Sequence, residues 1–237
     1  MSIAAMGFKK SSANVQPRVI ISVEGREKQG KTNFALTSPS PIALFDFDTG
    51  LEGVINKFAK KTIWVSEYRT PILTTDQYIA SWERYKREFR GALADKTIKT
   101  IIVDSETECW ELIRMARFGK LTEVMPHYYA PVNAEYRELI RAAFGSDKNL
   151  VLIHKMSMEY IANKTTGRFL RAGFKETASL VQVNAVAWRD EEGVFHFTIR
   201  DCRQNPALAG MDFTDDMINF PVIASLVLPD TTPGDWL

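Results

Sequence analysis

The sequence predicts an α/β fold in which a mostly parallel central sheet carries helices on both faces. Short apolar segments alternate along the chain with segments of helical periodicity, as expected for strands joined by crossover helices. A glycine-containing loop, residues 25–32, joins the first apolar segment to the first helical one. Polar side chains follow several apolar segments, and in a parallel sheet these strand ends share the edge where ligands bind.

Apolar spacing places the individual elements. Continuous apolar runs predict buried strands at 18–23, 42–48, 62–65, 98–103 and 149–153. Helical spacing predicts helices after residue 32 and at 75–94, 106–118 and 133–144. A loop is expected at 119–131. Alternating apolar residues at 180–188 and 194–200, joined by a turn at 190–193, predict an antiparallel hairpin toward the C-terminus.

Length and composition predict one globular core with a shorter segment at each end. The 237 residues are 45% hydrophobic and 25% charged, and we expect an arm at 1–17, a core at 18–205 and an extension at 206–237. The net charge of +1 argues neither for nor against a polyanionic partner, so any basic patch that binds one must be local. Neither a signal-peptide pattern nor an apolar run of about 18 residues occurs, so we expect no membrane contact and a cytoplasmic location.

The most informative motif is Gly25-Arg26-Glu27-Lys28-Gln29-Gly30-Lys31-Thr32, which fits the phosphate-binding pattern G-x-x-x-x-G-K-[ST]. Glycines let the backbone curl so that successive N–H groups point at phosphate oxygens. In this pattern Lys31 reaches the β- and γ-phosphates, and the Thr32 hydroxyl ligates Mg²⁺. A strand before the loop and a helix beginning near Asn33 complete the required context, so the sequence predicts a nucleotide site at 25–33.

Asp104 is the predicted second ligand of the metal. It ends an apolar strand, where a carboxylate can hold Mg²⁺ opposite Thr32. Ser105 after it can assist at the metal or cap the following helix.

Four further residues are candidates for a role at the terminal phosphate. Asp46 and Asp48 lie on the same side of the second strand, and one of them can polarise the attacking water. Glu52 competes for that role. His154, at the end of the 149–153 strand, can sense the γ-phosphate by a hydrogen bond or can simply cap the strand.

A basic segment at 155–175 is the predicted contact for single-stranded DNA, because cations suit phosphates and aromatic rings suit bases. The residues assigned to DNA are Lys155, Lys164, Arg168, Phe169, Arg171 and Lys175. The alternative is a solvated β-hairpin. Tyr128 and Tyr129 form a weaker candidate, and Arg200 and Arg203 are either arginines offered to a neighbouring subunit's nucleotide or ordinary surface residues.

This ordered set of motifs resembles a RecA-like ATPase core over roughly residues 18–203. The motifs are the loop at 25–32, Asp46-Phe47-Asp48-Thr49-Gly50-Leu51, Ile101-Ile102-Val103-Asp104-Ser105 and the strand ending in His154. More narrowly, the chain is similar to phage-encoded, single-domain RecA-like P-loop proteins, some of which are single-strand annealing recombinases. The resemblance implies that Asp48 is the general base where Glu is usual. It also implies that His154 stands at a sensor position often held by Gln and that a DNA-binding loop follows it.

The function implied by the resemblance is a Mg²⁺- and ATP-dependent ATPase that binds single-stranded DNA and promotes annealing or strand pairing in phage recombination. It also implies self-association into a ring or filament in the cytoplasm of an infected bacterium, and it makes a single-strand binding protein a candidate partner. Two alternatives stay open. One is a nucleotide or metabolite kinase using Arg84, Arg87 and Arg90 as a lid, and the other is a nucleotide-gated assembly module that scarcely hydrolyses ATP.

Overall fold

The computed structural model describes residues 3–8, 17–68, 74–121, 124–162 and 164–237. The predicted arm at 1–17 and loop at 119–131 therefore lie partly outside the described residues. The strands are β1 (Ile20–Glu24), β2 (Ile42–Asp46), β3 (Ile63–Glu67), β4 (Thr100–Asp104), β5 (Asn149–His154), β6 (Met156–Ile161), β7 (Lys164–Arg171), β8 (Val183–Arg189), β9 (Phe195–Cys202) and β10 (Asp212–Thr214). The helices are α1 (Lys31–Leu36), α2 (Thr75–Ala94), α3 (Glu106–Phe118), α4 (Tyr129–Phe144), α5 (Thr177–Leu180) and α6 (Phe220–Val227).

Within the described residues, eight of these strands form one sheet in the order β10-β9-β8-β1-β5-β4-β2-β3. The strands from β8 to β3 in this order run parallel to one another, whereas β9 and β10 pair antiparallel at one edge. Strands β6 and β7 stand apart as a two-stranded antiparallel hairpin. The mostly parallel sheet and the antiparallel β8–β9 pair confirm the predicted fold class.

Helices cover both faces of the sheet because strand residues alternate between two apolar cores. On one face α1 and α6 pack together, and the Phe34 ring stacks on Phe197 of β9 at 4.2 Å. On the other face α2, α3 and α4 cover a second core, which includes Trp82 and Phe89. These cores hold the sheet rigid, so its carboxyl edge is a fixed platform for the loops that follow the strands.

Comparison of the helix boundaries with the predicted ones shows where local sequence signals were enough to place a helix end. Helices α2 and α3 match the predicted bounds, and Thr74 and Gln77 form a capping box that fixes the start of α2. Helix α4 begins earlier than predicted, at Tyr129, because the turn Pro126–Tyr128 leads directly into it. Among the described residues, we find no helix with the length and apolar content needed to cross a membrane.

The C-terminal segment, 206–237, shares the core of the preceding domain. It supplies β10, which pairs with β9, and α6, which is buried against α1. Phe220 and Trp236 are each at most 4% exposed. A backbone N–H of Phe220 donates to Thr37 Oγ1 at 2.7 Å, so this segment is fastened to the end of α1.

Candidate nucleotide site

The loop at 25–32 has the backbone geometry that a phosphate cradle requires. It runs from β1 to α1, with Gly30 at φ 82° immediately before the helix. A Cβ atom on Gly25 would lie 2.4 Å from the Ala187 carbonyl oxygen, so β8 leaves no room there for a side chain. The two glycines of the motif are therefore required by a left-handed turn and by a close backbone approach.

The Lys31 side chain folds back to the first residues of the phosphate loop. Its ammonium donates hydrogen bonds to the carbonyl oxygens of Gly25 at 2.8 Å and Arg26 at 2.6 Å. Burial lowers the pKa of Lys31, and the nearby carboxylates of Asp104 and Asp48 oppose that shift. The side chain thus holds a positive charge at the loop, where phosphate oxygens can replace the two carbonyl acceptors.

Thr32 and Asp104 meet across the site as the sequence predicted. The Thr32 hydroxyl donates to Asp104 Oδ2 at 2.7 Å. Burial raises the pKa of Asp104 to about 6, while the Thr32 hydrogen bond opposes this shift and the Asp48 and Asp46 carboxylates add to it. Ser105 also lines the cavity, and its hydroxyl accepts from the Glu108 backbone N–H at 3.4 Å, so it caps α3.

The Thr32 and Asp104 oxygens fit Mg²⁺. Hydroxyl and carboxylate oxygens are hard donors, and Mg²⁺ usually keeps several waters and binds through one or two carboxylates plus substrate phosphates. In the part of the chain that the structure describes, no group of three or more His, Cys, Asp or Glu residues could hold a metal by itself. The donor set therefore suits a metal that arrives with a nucleotide rather than a resident metal centre.

A cavity of about 820 Å³ opens beside the loop, and Lys31, Thr32, Asn33, Asp48 and Asp104 all line it. Its size is within the range of small-molecule sites. The cavity lining also includes Glu52, the competitor of Asp48. Asp46 is 7% exposed, lies outside that lining and accepts the Asp48 backbone N–H at 3.1 Å, so it braces the turn that carries Asp48.

Lys155, which the sequence assigned to DNA, lies at the cavity beside the phosphate loop, and a DNA contact by this residue stays a prediction. Its ammonium lies 3.0 Å from Asp48 Oδ1 and 2.8 Å from Glu108 Oε1. The residue also lines the cavity. Two carboxylates thus hold the Lys155 ammonium at the cavity wall, where a cation can meet the terminal phosphate of a nucleotide.

His154 does not line the cavity, which corrects its placement as a γ-phosphate sensor. Both neighbours, Ile153 and Lys155, line it, and successive side chains of extended backbone point to opposite sides. The imidazole is fully buried, with Nδ1 3.0 Å from Glu106 Oε2 and 3.1 Å from the Ala172 carbonyl oxygen. His154 therefore joins the sheet to α3 behind the site.

The segment at 155–175 forms the β6–β7 hairpin, the alternative noted for this segment. Phe169 lies under the Arg26 guanidinium at 4.7 Å, so the hairpin contacts the phosphate loop directly. Arg171 is directed inward, toward Ser22 Oγ at 3.3 Å and Asn184 Oδ1 at 3.2 Å, which removes it from the predicted DNA surface. Of the assigned cations, Lys164, Arg168 and Lys175 remain exposed.

The base of the hairpin is fastened to α3 by one side chain. The Thr107 hydroxyl accepts the Lys155 backbone N–H at 3.0 Å and donates to the Ala172 carbonyl oxygen at 3.2 Å. Lys155 and Ala172 precede and follow the hairpin, and they are themselves joined by a backbone hydrogen bond of 2.9 Å. Both ends of the hairpin are thus fixed to the first turn of α3.

The two arginines considered for a neighbouring subunit's nucleotide have partners in their own chain. Arg200 pairs with Glu24 at 2.6 Å, and Arg203 donates to the Ser179 carbonyl oxygen at 2.6 Å. Neither residue lines the cavity. Because an arginine offered to a neighbouring subunit would act outside its own chain's cavity, both alternatives stay open for these two residues.

Comparison with known proteins agrees with this geometry. The family described as AAA domain matches residues 18–184, well over half of the 237 residues, and the match includes the phosphate loop, Asp48 and Asp104. Among curated proteins, none matches the chain. The chain therefore belongs to the AAA domain family, and its core is a P-loop ATPase domain.

Proposed function

We propose that this protein is a Mg²⁺-dependent ATPase that couples nucleotide hydrolysis to binding and annealing of single-stranded DNA. The observation that carries the proposal is the contact between Arg26 of the phosphate loop and Phe169 of a basic hairpin, 4.7 Å from guanidinium to ring. Through this contact, the Arg26 side chain connects a DNA strand bound on the hairpin to a nucleotide bound at the phosphate loop. A phage recombination setting, with a ring or filament as the active form, remains a prediction.

The chemistry at the phosphate end is assigned to four side chains. Lys31 binds phosphate oxygens, and Thr32 and Asp104 hold Mg²⁺, which when bound neutralises charge on the β- and γ-phosphates. Asp48 orients a water molecule and accepts its proton as the water oxygen bonds to the γ-phosphorus and the bond to the β-phosphate oxygen breaks. Lys155, 3.0 Å from Asp48, fixes that carboxylate at the cavity wall.

The kinase alternative finds less support in the structure. A kinase lid would bring several arginines to the cavity, but Arg84, Arg87 and Arg90 lie on α2 and none lines it. Arg84 is occupied by Glu88 at 2.8 Å and stacks over Tyr68. An assembly module with little hydrolysis would keep the same nucleotide contacts, so the rate of hydrolysis separates it from the proposed ATPase.

The test of DNA coupling is the ATPase rate with and without single-stranded DNA, together with DNA affinity across a salt series. Replacing Lys164, Arg168 and Lys175 by Ala should reduce the log–log salt slope by about 2, because each phosphate contact on a single strand contributes roughly 0.7. The matched control replaces Arg87, Arg90 and Lys96, which are equally exposed cations on and just after α2.

Two results would contradict the DNA proposal. An ATPase rate that single-stranded DNA leaves unchanged would remove the coupling. Equal salt slopes for the Lys164, Arg168 and Lys175 variant and for the α2 control would make this basic segment an ordinary surface. Self-association is tested separately by sedimentation with and without ATP, where a single 26.9 kDa species under both conditions would exclude a ring or filament.

A further inference from the structure

The direction in which a bound nucleotide runs follows from the sheet order. Lys31 and Thr32 take the β- and γ-phosphates, and the metal ligand Asp104 ends β4. In the sheet, β5 and β1 separate β4 from the β8–β9 pair. With its terminal phosphate toward β4, a nucleotide extends its nucleoside end across the phosphate loop toward β8 and β9.

The far wall of the cavity lies at this end. It includes Phe195 and His196, the first residues of β9, and Asp215 and Ile218 from the turn after β10. All four lie beyond residue 184, where the family match ends. Membership of the family therefore assigns no role to this wall.

Phe195 is an aromatic residue of the cavity wall whose side chain is partly exposed. The Arg189 guanidinium lies over the ring, 4.9 Å from its centroid, and a Cβ on Gly30 would lie 3.5 Å from Cδ1 of the ring, so two neighbours hold the ring in place. The residue is nevertheless 42% exposed. An immobilised, accessible aromatic ring is a stacking surface for a planar base.

Asp215 supplies an acceptor on the same wall. Its carboxylate forms no hydrogen bond or ion pair recorded within the described residues, whereas neighbouring His196 is fully engaged by Asp212 at 2.5 Å and Asp190 at 3.3 Å. An ionised carboxylate accepts hydrogen bonds only. The exposed Asp215 carboxylate can therefore accept a hydrogen bond from a ligand donor such as the exocyclic amino group of adenine.

We propose that Phe195, Asp215 and Ile218 form the nucleoside subsite of the ATP site, with the base stacked on Phe195 and its amino group donating to Asp215. The inference rests on the proposed ATP binding and adds a base-recognition role for the segment after residue 184. Ile218, partly buried against the core, gives the base an apolar contact beside the carboxylate.

The first experiment compares ATP with inorganic tripolyphosphate by calorimetry in the presence of Mg²⁺, since tripolyphosphate lacks the nucleoside. Phe195→Ala should weaken ATP binding about tenfold, equivalent to about 1.4 kcal/mol, and leave tripolyphosphate affinity within about twofold. Phe195→Leu keeps apolar bulk beside Gly30 but removes the ring, so it should give the same pattern. The matched control is Trp64→Ala, an exposed aromatic residue on β3 at the opposite end of the sheet.

The second experiment tests the amino group by comparing ATP with purine riboside triphosphate. The wild type should prefer ATP, and Asp215→Asn should narrow that preference because a neutral amide oxygen is a weaker acceptor than a carboxylate. Asn tolerates the φ of 51° at this position, so the backbone is preserved. Asp216→Asn, one residue along, is the control and should leave the preference unchanged.

The results separate the subsite from the nucleotide site itself. If both Phe195 variants weaken ATP and tripolyphosphate equally, Phe195 merely supports the loop and the subsite is refuted. Unchanged ATP affinity in the same variants also refutes it. Wild-type protein that binds neither ligand would overturn the proposed ATP binding as a whole.

Discussion

Replacing Asp104 by Asn should stabilise the fold while removing a metal ligand. The carboxylate is 4% exposed, and burial raises its pKa from an ordinary 3.8 to about 6. The folded protein therefore disfavours the charged form that Mg²⁺ needs. A buried amide of nearly the same shape carries no charge and can still accept the Thr32 hydroxyl.

The magnitude and its pH dependence follow from this pKa. A raised acid pKa means that the folded state binds the proton more tightly, so stability is lost as pH rises from about 3.8 to about 6 and the loss is constant above that range. A shift of about 2 units corresponds to roughly 3 kcal/mol at neutral pH and about 1 kcal/mol at pH 4.5. Because the amide has its own desolvation cost, we expect a net gain of about 2 kcal/mol at pH 7.5, or roughly 4–8 °C in Tm.

The assay is thermal unfolding of the wild type and Asp104→Asn from pH 4.5 to pH 7.5, with exposed Asp216→Asn as control. The Tm difference should grow as pH rises to about 6 and then level off, while the control shows none. Addition of Mg²⁺ and ATP should stabilise the wild type more than the variant, since only binding to the folded state raises its stability. An Asp104→Asn protein that is no more stable than the wild type at pH 7.5, or a difference independent of pH, would refute the reasoning.

Three further substitutions test the phosphate end of the site. Lys31→Ala should abolish measurable nucleotide binding while the melting curve remains cooperative, and calorimetry showing unchanged affinity would remove the central assignment. Asp48→Asn should keep nucleotide affinity but lower turnover at least tenfold, because a general base acts mainly in the transition state; normal turnover would transfer the role to Glu52. Lys155→Met should weaken ATP about tenfold relative to ADP, since a charge-assisted contact to the terminal phosphate is lost, and an equal effect on both nucleotides would place Lys155 away from that phosphate.

The phosphate loop and the pairing of Thr32 with Asp104 could be predicted because their signals are local. The spacing of Gly25, Gly30 and Lys31, with an apolar strand before them, specifies a turn and a charge within eight residues. Asp104 could be predicted in the same way, because it directly follows a continuous run of apolar residues. Parallel strands then bring Thr32 and Asp104 together without any further information.

The roles of residues next to the site could not be read in the same way. His154 and Lys155 are adjacent in sequence, and which of them faces the cavity depends on how the chain leaves β5. Phe169 contacts Arg26, which is far from it in sequence. The cavity wall containing Phe195 and Asp215 is likewise formed by segments that are distant in sequence from the phosphate loop. Such contacts are set by tertiary packing and leave no periodic or spacing signal in a single sequence.

The double hydrogen bond of Thr107 ties the β6–β7 hairpin to the residues that follow Asp104. Helix α3 starts two residues after Asp104, so its first turn is joined to this carboxylate by a short stretch of backbone. Both ends of the hairpin are bonded to the same hydroxyl, and β7 is held in addition by the contacts of Phe169 with Arg26 and of Arg171 with Ser22 and Asn184. A continuous path of bonded residues thus leads from the Asp104 end of β4, through the first turn of α3, to a hairpin whose tip exposes Tyr160 and Lys164.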